Sequence, residues 1–131
     1  MGSRDLVRLL VLWRLAGEWW RAEALYLYFC RGLGPAEIER LMGVGRTVVA
    51  GIVRRAYEAY GKNFGVERVV SRCFTYVSRL EPALSNYCKL CGKSGFVKPT
   101  RHLMLSHRKY VEQCVDAVIN CLRHVREDSV L

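Results

Sequence analysis

Two cysteines and two histidines lie within twenty residues of one another, at spacings typical of a metal site. Cys88 and Cys91 are separated by two residues, so one tight turn can hold both thiolates, and Gly92 tolerates the positive φ that such a turn often needs. His102 and His107 follow at a spacing that metal-ligating histidines use. Four such ligands fill the tetrahedral shell of Zn²⁺ and leave no position for a substrate. We therefore expect a structural zinc site.

These four side chains could also have roles that involve no metal. Cys88 and Cys91 could form a redox pair, but such a pair opens a helix after a strand, and no strand is predicted here. The two histidines could be polar positions on a basic helix face. Cys114 is the most plausible replacement if one histidine is not a ligand.

The segment resembles the C2H2 zinc-finger family over roughly twenty residues. That family has about twelve residues between the second cysteine and the first histidine, whereas this chain has ten, so we expect a short or irregular hairpin. We expect the small hydrophobic core of this finger to contain Tyr87, Phe96, Leu103 and Leu105.

Net charge points to a polyanionic partner. The chain carries 21 basic and 12 acidic residues, for a net charge of +9. Residues 82–111 hold six basic residues and no acidic one. Nucleic acid is the commonest partner of such a surface. The same lack of carboxylates leaves a metal-activated water without a general base, so we expect no enzymatic activity.

A second pattern lies at about residues 35–60. A short helix opened by Pro35, a turn whose first residue is Gly43, and a longer basic helix from Arg46 are typical of a helix-turn-helix. The apolar residues expected to meet between the two helices are Ile38, Met42, Val44, Val49 and Ile52.

This stretch resembles the helix-turn-helix family of transcription regulators, best over residues 37–54. The resemblance implies that the second helix enters the major groove of DNA. Glu39 stands where the family usually has a small residue, so we expect its side chain to lean out and the helices to cross more widely.

We expect DNA contacts from both basic regions. The outward residues of the second helix include Ala50 and Gly51, which cannot read bases by hydrogen bonding, so this face suits docking better than detailed readout. The predicted DNA-binding residues are Arg46, Thr47, Arg54 and Arg55 in this helix and Lys93, Lys98, Arg101 and Arg108 in the finger.

The remaining helical patterns complete an all-α fold. Residues 1–81 are predicted to form a helical domain that contains the helix-turn-helix, and residues 82–131 a zinc-binding element and a long C-terminal helix on the same core. Predicted helices cover residues 4–16, capped by Ser3, then 18–31, 66–80 and 99–126, with a connector at 61–65.

Three further expectations concern assembly and environment. The first helix is apolar on nearly every side, so it has to pack either inside this small domain or against a second copy of itself, and of the two we favour a homodimer through the N-terminal apolar helices. Cys30 and Cys73 are the pair to test for a disulfide. Arg8 and Arg14 interrupt the first apolar run, so we expect an intracellular protein with no membrane segment.

Together these features predict a zinc-containing protein that binds double-stranded DNA, a transcription regulator. The chain resembles the small helix-turn-helix proteins with a fused finger that crenarchaea and their viruses encode. Two alternatives remain open: a structural protein that coats DNA or belongs to a virion, and a zinc-stabilised adaptor that binds other proteins.

Overall fold

A computed structural model describes residues 2–61 and 65–130, with side chains as far as Arg123. The described residues form seven helices and no strand, which confirms the all-α class. The helices are α1 (Ser3–Leu15), α2 (Trp19–Cys30), α3 (Pro35–Met42), α4 (Arg46–Tyr60), α5 (Gly65–Ser78), α6 (Pro99–Ser106) and α7 (Arg108–Val130). Residues 62–64 of the predicted connector lie outside the described part of the chain.

Helix α1 is the centre of the fold. It packs against α2, α4, α5, α6 and α7. Its buried residues are Leu6, Val7, Leu9, Leu10, Val11, Leu12, Trp13 and Leu15. A helix that is apolar on nearly all sides needs neighbours on nearly all sides, and here the chain supplies them itself. Packing within one chain thus accounts for the pattern from which we predicted a homodimer, and the homodimer itself stays a prediction.

Both segments of the chain contribute to one hydrophobic core. Cys88 and Leu103, from the segment that carries the clustered cysteines and histidines (residues 88–107), are as fully buried as Leu10 in the centre of α1. The N–H groups of Ala83 and Leu84 both donate to the carbonyl oxygen of Leu15, at 2.9 Å each. The chain just before this segment is therefore fixed to the C-terminal end of α1.

Two details of the predicted helices are wrong. Ser3 is the first residue of α1 and does not cap it, since Gly2 occupies the preceding position without a side-chain bond. The predicted helix over residues 99–126 is two helices, α6 and α7, which are separated at His107. No helix among the described residues is both long enough and apolar enough to span a bilayer.

An ion-pair network joins α1 to α7. Arg8 Nε donates to Glu112 at 2.6 Å, and Arg4 donates to Glu112 at 2.5 Å and to Asp116 at 2.8 Å. The hydrogen bond from Arg8, followed by that from Arg4, holds the pKa of Glu112 below its ordinary value of 4.5. These partners lie more than a hundred residues apart in the sequence, so the network attaches α7 to α1.

This network predicts a loss of stability in acid. A carboxyl group whose folded pKa is depressed stabilises the fold above its unfolded pKa, and that contribution is lost as the pH falls through the folded value. We expect thermal stability to decrease below about pH 4.5, and the Glu112→Gln variant to be less stable at pH 7 with a smaller further loss in acid. Thermal melts from pH 7 to pH 3 test this. Glu23→Gln, at an exposed position on α2, is the control, and a Glu112→Gln curve parallel to that of the unmodified chain would contradict the prediction.

Candidate metal centre and candidate nucleic-acid interface

Cys88 and Cys91 lie on a tight turn before α6. The N–H of Leu90 points at Cys88 Sγ at 3.4 Å, and the N–H of Gly92 donates to the carbonyl oxygen of Cys88 at 2.8 Å. Gly92 has a φ of 80°, in the left-handed region that glycine adopts without steric cost. In this part of the described chain the only β-type pairing consists of two isolated bridges, Leu84 with Cys88 and Tyr87 with Ser94. The hairpin is thus short and irregular, as its spacing predicted.

The two histidines reach the cysteines because the helix stops between them. Residues five apart on a straight α-helix point about 140° away from each other, since each residue turns about 100°. Helix α6 carries His102 and ends at Ser106, and His107 adopts a non-helical conformation with φ of −134° and ψ of 31°. This break turns the imidazole of His107 toward the same point as that of His102. Helices α6 and α7 are thus not continuous although neither Gly nor Pro separates them, and the break allows both imidazoles to face one site.

The ligand atoms of the four side chains converge on one point. Cys88 Sγ lies 3.5 Å from His107 Nε2, and Cys91 Sγ lies 3.6 Å from His102 Nε2. All four ligand atoms lie within 4.8 Å of one another. Zinc–sulfur bonds of about 2.3 Å and zinc–nitrogen bonds of about 2.0–2.1 Å at a tetrahedral angle separate S and N by about 3.6 Å. The donor set and its spacing are therefore compatible with a bound metal ion.

The cluster sits at the edge of the core. Cys88 is buried, the two histidines are half-buried and Cys91 is exposed. Burial, followed by electrostatic repulsion from His107 and Lys93, lowers the pKa of His102. This shift favours the neutral imidazole, which is the form that binds a metal. The ring of Phe96 packs at 4.4 Å from that of His102 and shields one side of it.

The expected small core of the finger is only partly present. Leu103 is fully buried and Phe96 is half-buried, but Tyr87 is 50% exposed and Leu105 is 74% exposed. The prediction was wrong for Tyr87 and Leu105 because the finger does not enclose a core of its own. It inserts Leu103 into the core of the helical domain instead.

The remaining cysteines do not join the cluster. Cys114 is buried in α7 and is not among the four residues that converge within the described chain. Cys30 and Cys73 are both free thiols, and burial, with a smaller effect from the charge of Cys30, raises the pKa of Cys73 to about 12. A thiol with such a pKa is protonated and unreactive near neutral pH.

Helices α3 and α4 have the bounds that the glycine and proline pattern predicted. Gly43 takes a left-handed φ of 72° after α3, and its N–H donates to the carbonyl oxygen of Glu39 at 2.9 Å. The two helices pack against each other. Of the residues expected between them, Ile38, Val49 and Ile52 are buried and Met42 and Val44 are partly buried.

Glu39 does not simply lean into solvent. One carboxylate oxygen accepts the backbone N–H of Arg46 at 2.9 Å, and the other accepts Arg46 Nε at 3.2 Å and Nη2 at 3.0 Å. The backbone bond, followed by the side-chain bonds, lowers the pKa of Glu39. The carboxylate thus satisfies a free N–H of the first turn of α4 and holds the guanidinium of Arg46. Sequence spacing did not indicate this pair, because its partners lie on two helices joined by a turn.

The outer face of α4 is exposed at the predicted positions. Arg46, Thr47, Arg54 and Arg55 are all exposed. Arg54 makes a long ion pair of 3.8 Å with Glu58, whose negative charge offsets part of the positive charge of this face. Arg55 lies over the ring of Trp13, with its guanidinium carbon 6.0 Å from the ring centroid.

The basic residues of the finger form a separate group. Lys93, Lys98, Arg101 and Arg108 are exposed and make no ion pair within the part of the chain that the structure describes. Helix α6 touches α1 and α7 but not α3 or α4. The predicted DNA-binding residues of α4 and those of the finger therefore lie on parts of the fold that do not pack against each other.

Comparison with known protein families, with curated proteins and with solved structures finds no match to this chain.

Proposed function

We propose that this chain is a DNA-binding protein, a transcription regulator that docks α4 in the major groove of double-stranded DNA. The observation that carries this proposal is the pairing of α3 with α4 across a three-residue turn, with the basic face of α4 exposed. A second helix held in this way by a first is the arrangement that helix-turn-helix proteins present to DNA. The net charge of +9 supports a polyanionic partner.

We propose zinc as the metal at Cys88, Cys91, His102 and His107. Two thiolates and two imidazoles suit Zn²⁺, and four protein ligands complete its usual coordination. Such a closed site supports structure and not catalysis. Here the ion would hold the turn at Cys88 to the break at His107, and it would thereby fix the irregular residues 82–98 against the core.

Salt-dependent DNA binding tests the proposed function. We expect a fluorescently labelled duplex to bind with an affinity that falls as salt rises, because phosphate contacts release counterions. In the Arg54→Glu, Arg55→Glu variant, affinity should fall at least about tenfold and the salt slope should lose about two units, one for each contact. Fluorescence anisotropy titrations at salt concentrations from about 50 to about 300 mM measure both quantities.

The control for this variant changes the same amount of charge elsewhere. The double variant Arg79→Glu, Arg123→Glu alters two exposed arginines that lie outside the surface of α4, one just after α5 and one in α7. An equal loss of affinity in both double variants would mean that net charge, and not α4, governs binding. Binding that ignores sequence and grows with protein density along DNA would instead favour a DNA-coating protein.

The contact between Glu39 and Arg46 predicts an increase in affinity. Glu39→Gln removes a negative charge from the proposed DNA surface and weakens the hold on Arg46, which can then reach a phosphate. We expect tighter duplex binding and a salt slope steeper by about one unit. Glu37→Gln, at an exposed position in the same helix, is the control. The same anisotropy titration measures both variants, and weaker binding by Glu39→Gln would instead show that Glu39 orients Arg46 for its contact.

A further inference from the structure

One face of the finger exposes large aliphatic side chains. Val97 is 93% exposed and Leu105 is 74% exposed, the two highest values among the large hydrophobic residues that the structure describes. They border a shallow cavity of about 350 Å³. We call this surface the finger face; its lining residues are Phe96, Val97, Lys98, Arg101, His102 and Leu105. Its volume lies at the lower end of the range of ligand sites and is large enough for one or two inserted side chains.

The rim of the finger face is positively charged and unpaired. Lys98 and Arg101 are exposed and have no ion-pair partner within the described residues. No acidic residue lies between Glu81 and Glu112. Glu112 is already bonded to Arg4 and Arg8. Among the described side chains no carboxylate pairs with this rim, so its positive charge is open to a partner.

We propose that the finger face binds a short acidic peptide segment of another protein, with an aliphatic or aromatic side chain in the cavity and carboxylates on Lys98 and Arg101. An apolar centre with a charged rim is the usual layout of a protein-binding surface. The carboxylates of the peptide would pair with the positive charges of the rim, and Val97 and Leu105 would lose their exposure to water on binding.

Nucleic acid fits this face less well. Phosphates would engage Lys98 and Arg101 but would leave Val97 and Leu105 without a role. A stacked base needs an open aromatic face, and Phe96 is half-buried with its ring packed on His102. Because α6 does not touch α4, peptide binding here is independent of DNA docking by α4, and either proposal can fail without the other.

Selection from a phage-displayed library of random twelve-residue peptides, on the zinc-loaded full chain, tests this proposal. We expect the selected peptides to share Asp or Glu residues around one large apolar residue. A synthetic copy of the most enriched peptide should bind Leu105→Ser at least tenfold more weakly, and Lys98→Glu, Arg101→Glu more weakly still. Leu90→Ser, at another exposed leucine of the finger outside this face, should bind as the unmodified chain does.

All the changed residues are exposed, so we expect each variant to fold. Melting curves check this. Duplex binding measured on the same proteins separates peptide from DNA. The proposal is overturned if no acidic and apolar pattern is selected, or if Leu105→Ser binds the selected peptide unchanged. It is also overturned if Lys98→Glu, Arg101→Glu loses duplex binding while Leu105→Ser leaves peptide binding intact, because the rim would then be a phosphate contact.

Discussion

Replacement of Cys88 and Cys91 by serine is expected to reduce the zinc content of the purified protein from one ion per chain to none. Serine hydroxyls are poor replacements for thiolates as zinc ligands, and the two remaining histidines cannot complete a tetrahedron. Elemental analysis of protein purified without chelator measures the change.

The same variant should lose thermal stability across the whole domain. Structural Zn²⁺ contributes about 10–16 kcal/mol to zinc-finger peptides at pH 7, which is as large as the total stability of most domains. Cys88 is fully buried and its segment is bonded to Leu15, so loss of the ion should disturb α1 as well as the finger. We expect the melting temperature to fall by more than about 10 °C.

Cys121→Ser is the matched control, because it removes an exposed thiol of α7 that is not part of the cluster. It should retain one zinc ion and an unchanged melting temperature. Unmodified protein without any metal would contradict the zinc proposal. Full zinc content in the Cys88→Ser, Cys91→Ser variant would place the ion elsewhere in the chain.

Leu103→Ala should destabilise the protein by about 2–5 kcal/mol. Leu103 is fully buried and is the residue through which α6 enters the common core. Truncation removes apolar contacts and leaves a cavity in the common core, which the surrounding side chains fill only in part. Urea unfolding, followed by circular dichroism, measures the free energy of unfolding.

Leu105→Ala is the control for this truncation, since it makes the same chemical change two residues further along α6, at a position that is 74% exposed. Its effect should stay within about 0.5 kcal/mol. Both variants should unfold in a single transition. If Leu103→Ala unfolded in two steps, the finger would be a separate unit and the shared core would not be what stabilises it.

Features that depend on local chain chemistry were predictable. The spacing of Cys88 and Cys91, with Gly92 after them, indicated the turn that the structure contains. The position of Gly43 likewise indicated where α3 ends and the chain reverses. In both cases the controlling interactions lie within a few residues, so the sequence contains them directly.

Features that depend on distant partners were not predictable in the same way. The break at His107 places its imidazole beside Cys88, a contact that the helical pattern of residues 99–126 does not encode. The exposure of Leu105 follows from the docking of the finger on α1. The ion pairs of Arg8 with Glu112 and of Glu39 with Arg46 join separate helices whose orientation only the folded chain defines.

The central position of α1 also has a consequence for how the chain folds. During synthesis α1 leaves the ribosome before α4, α5 and α7, the helices that cover its apolar faces. Its contacts with α7 join residues about a hundred positions apart, and such non-local contacts form late because a long loop has to close first. Until α7 has been synthesised, part of this apolar helix stays open to solvent. Exposed apolar surface of this kind makes a partly synthesised chain prone to aggregation.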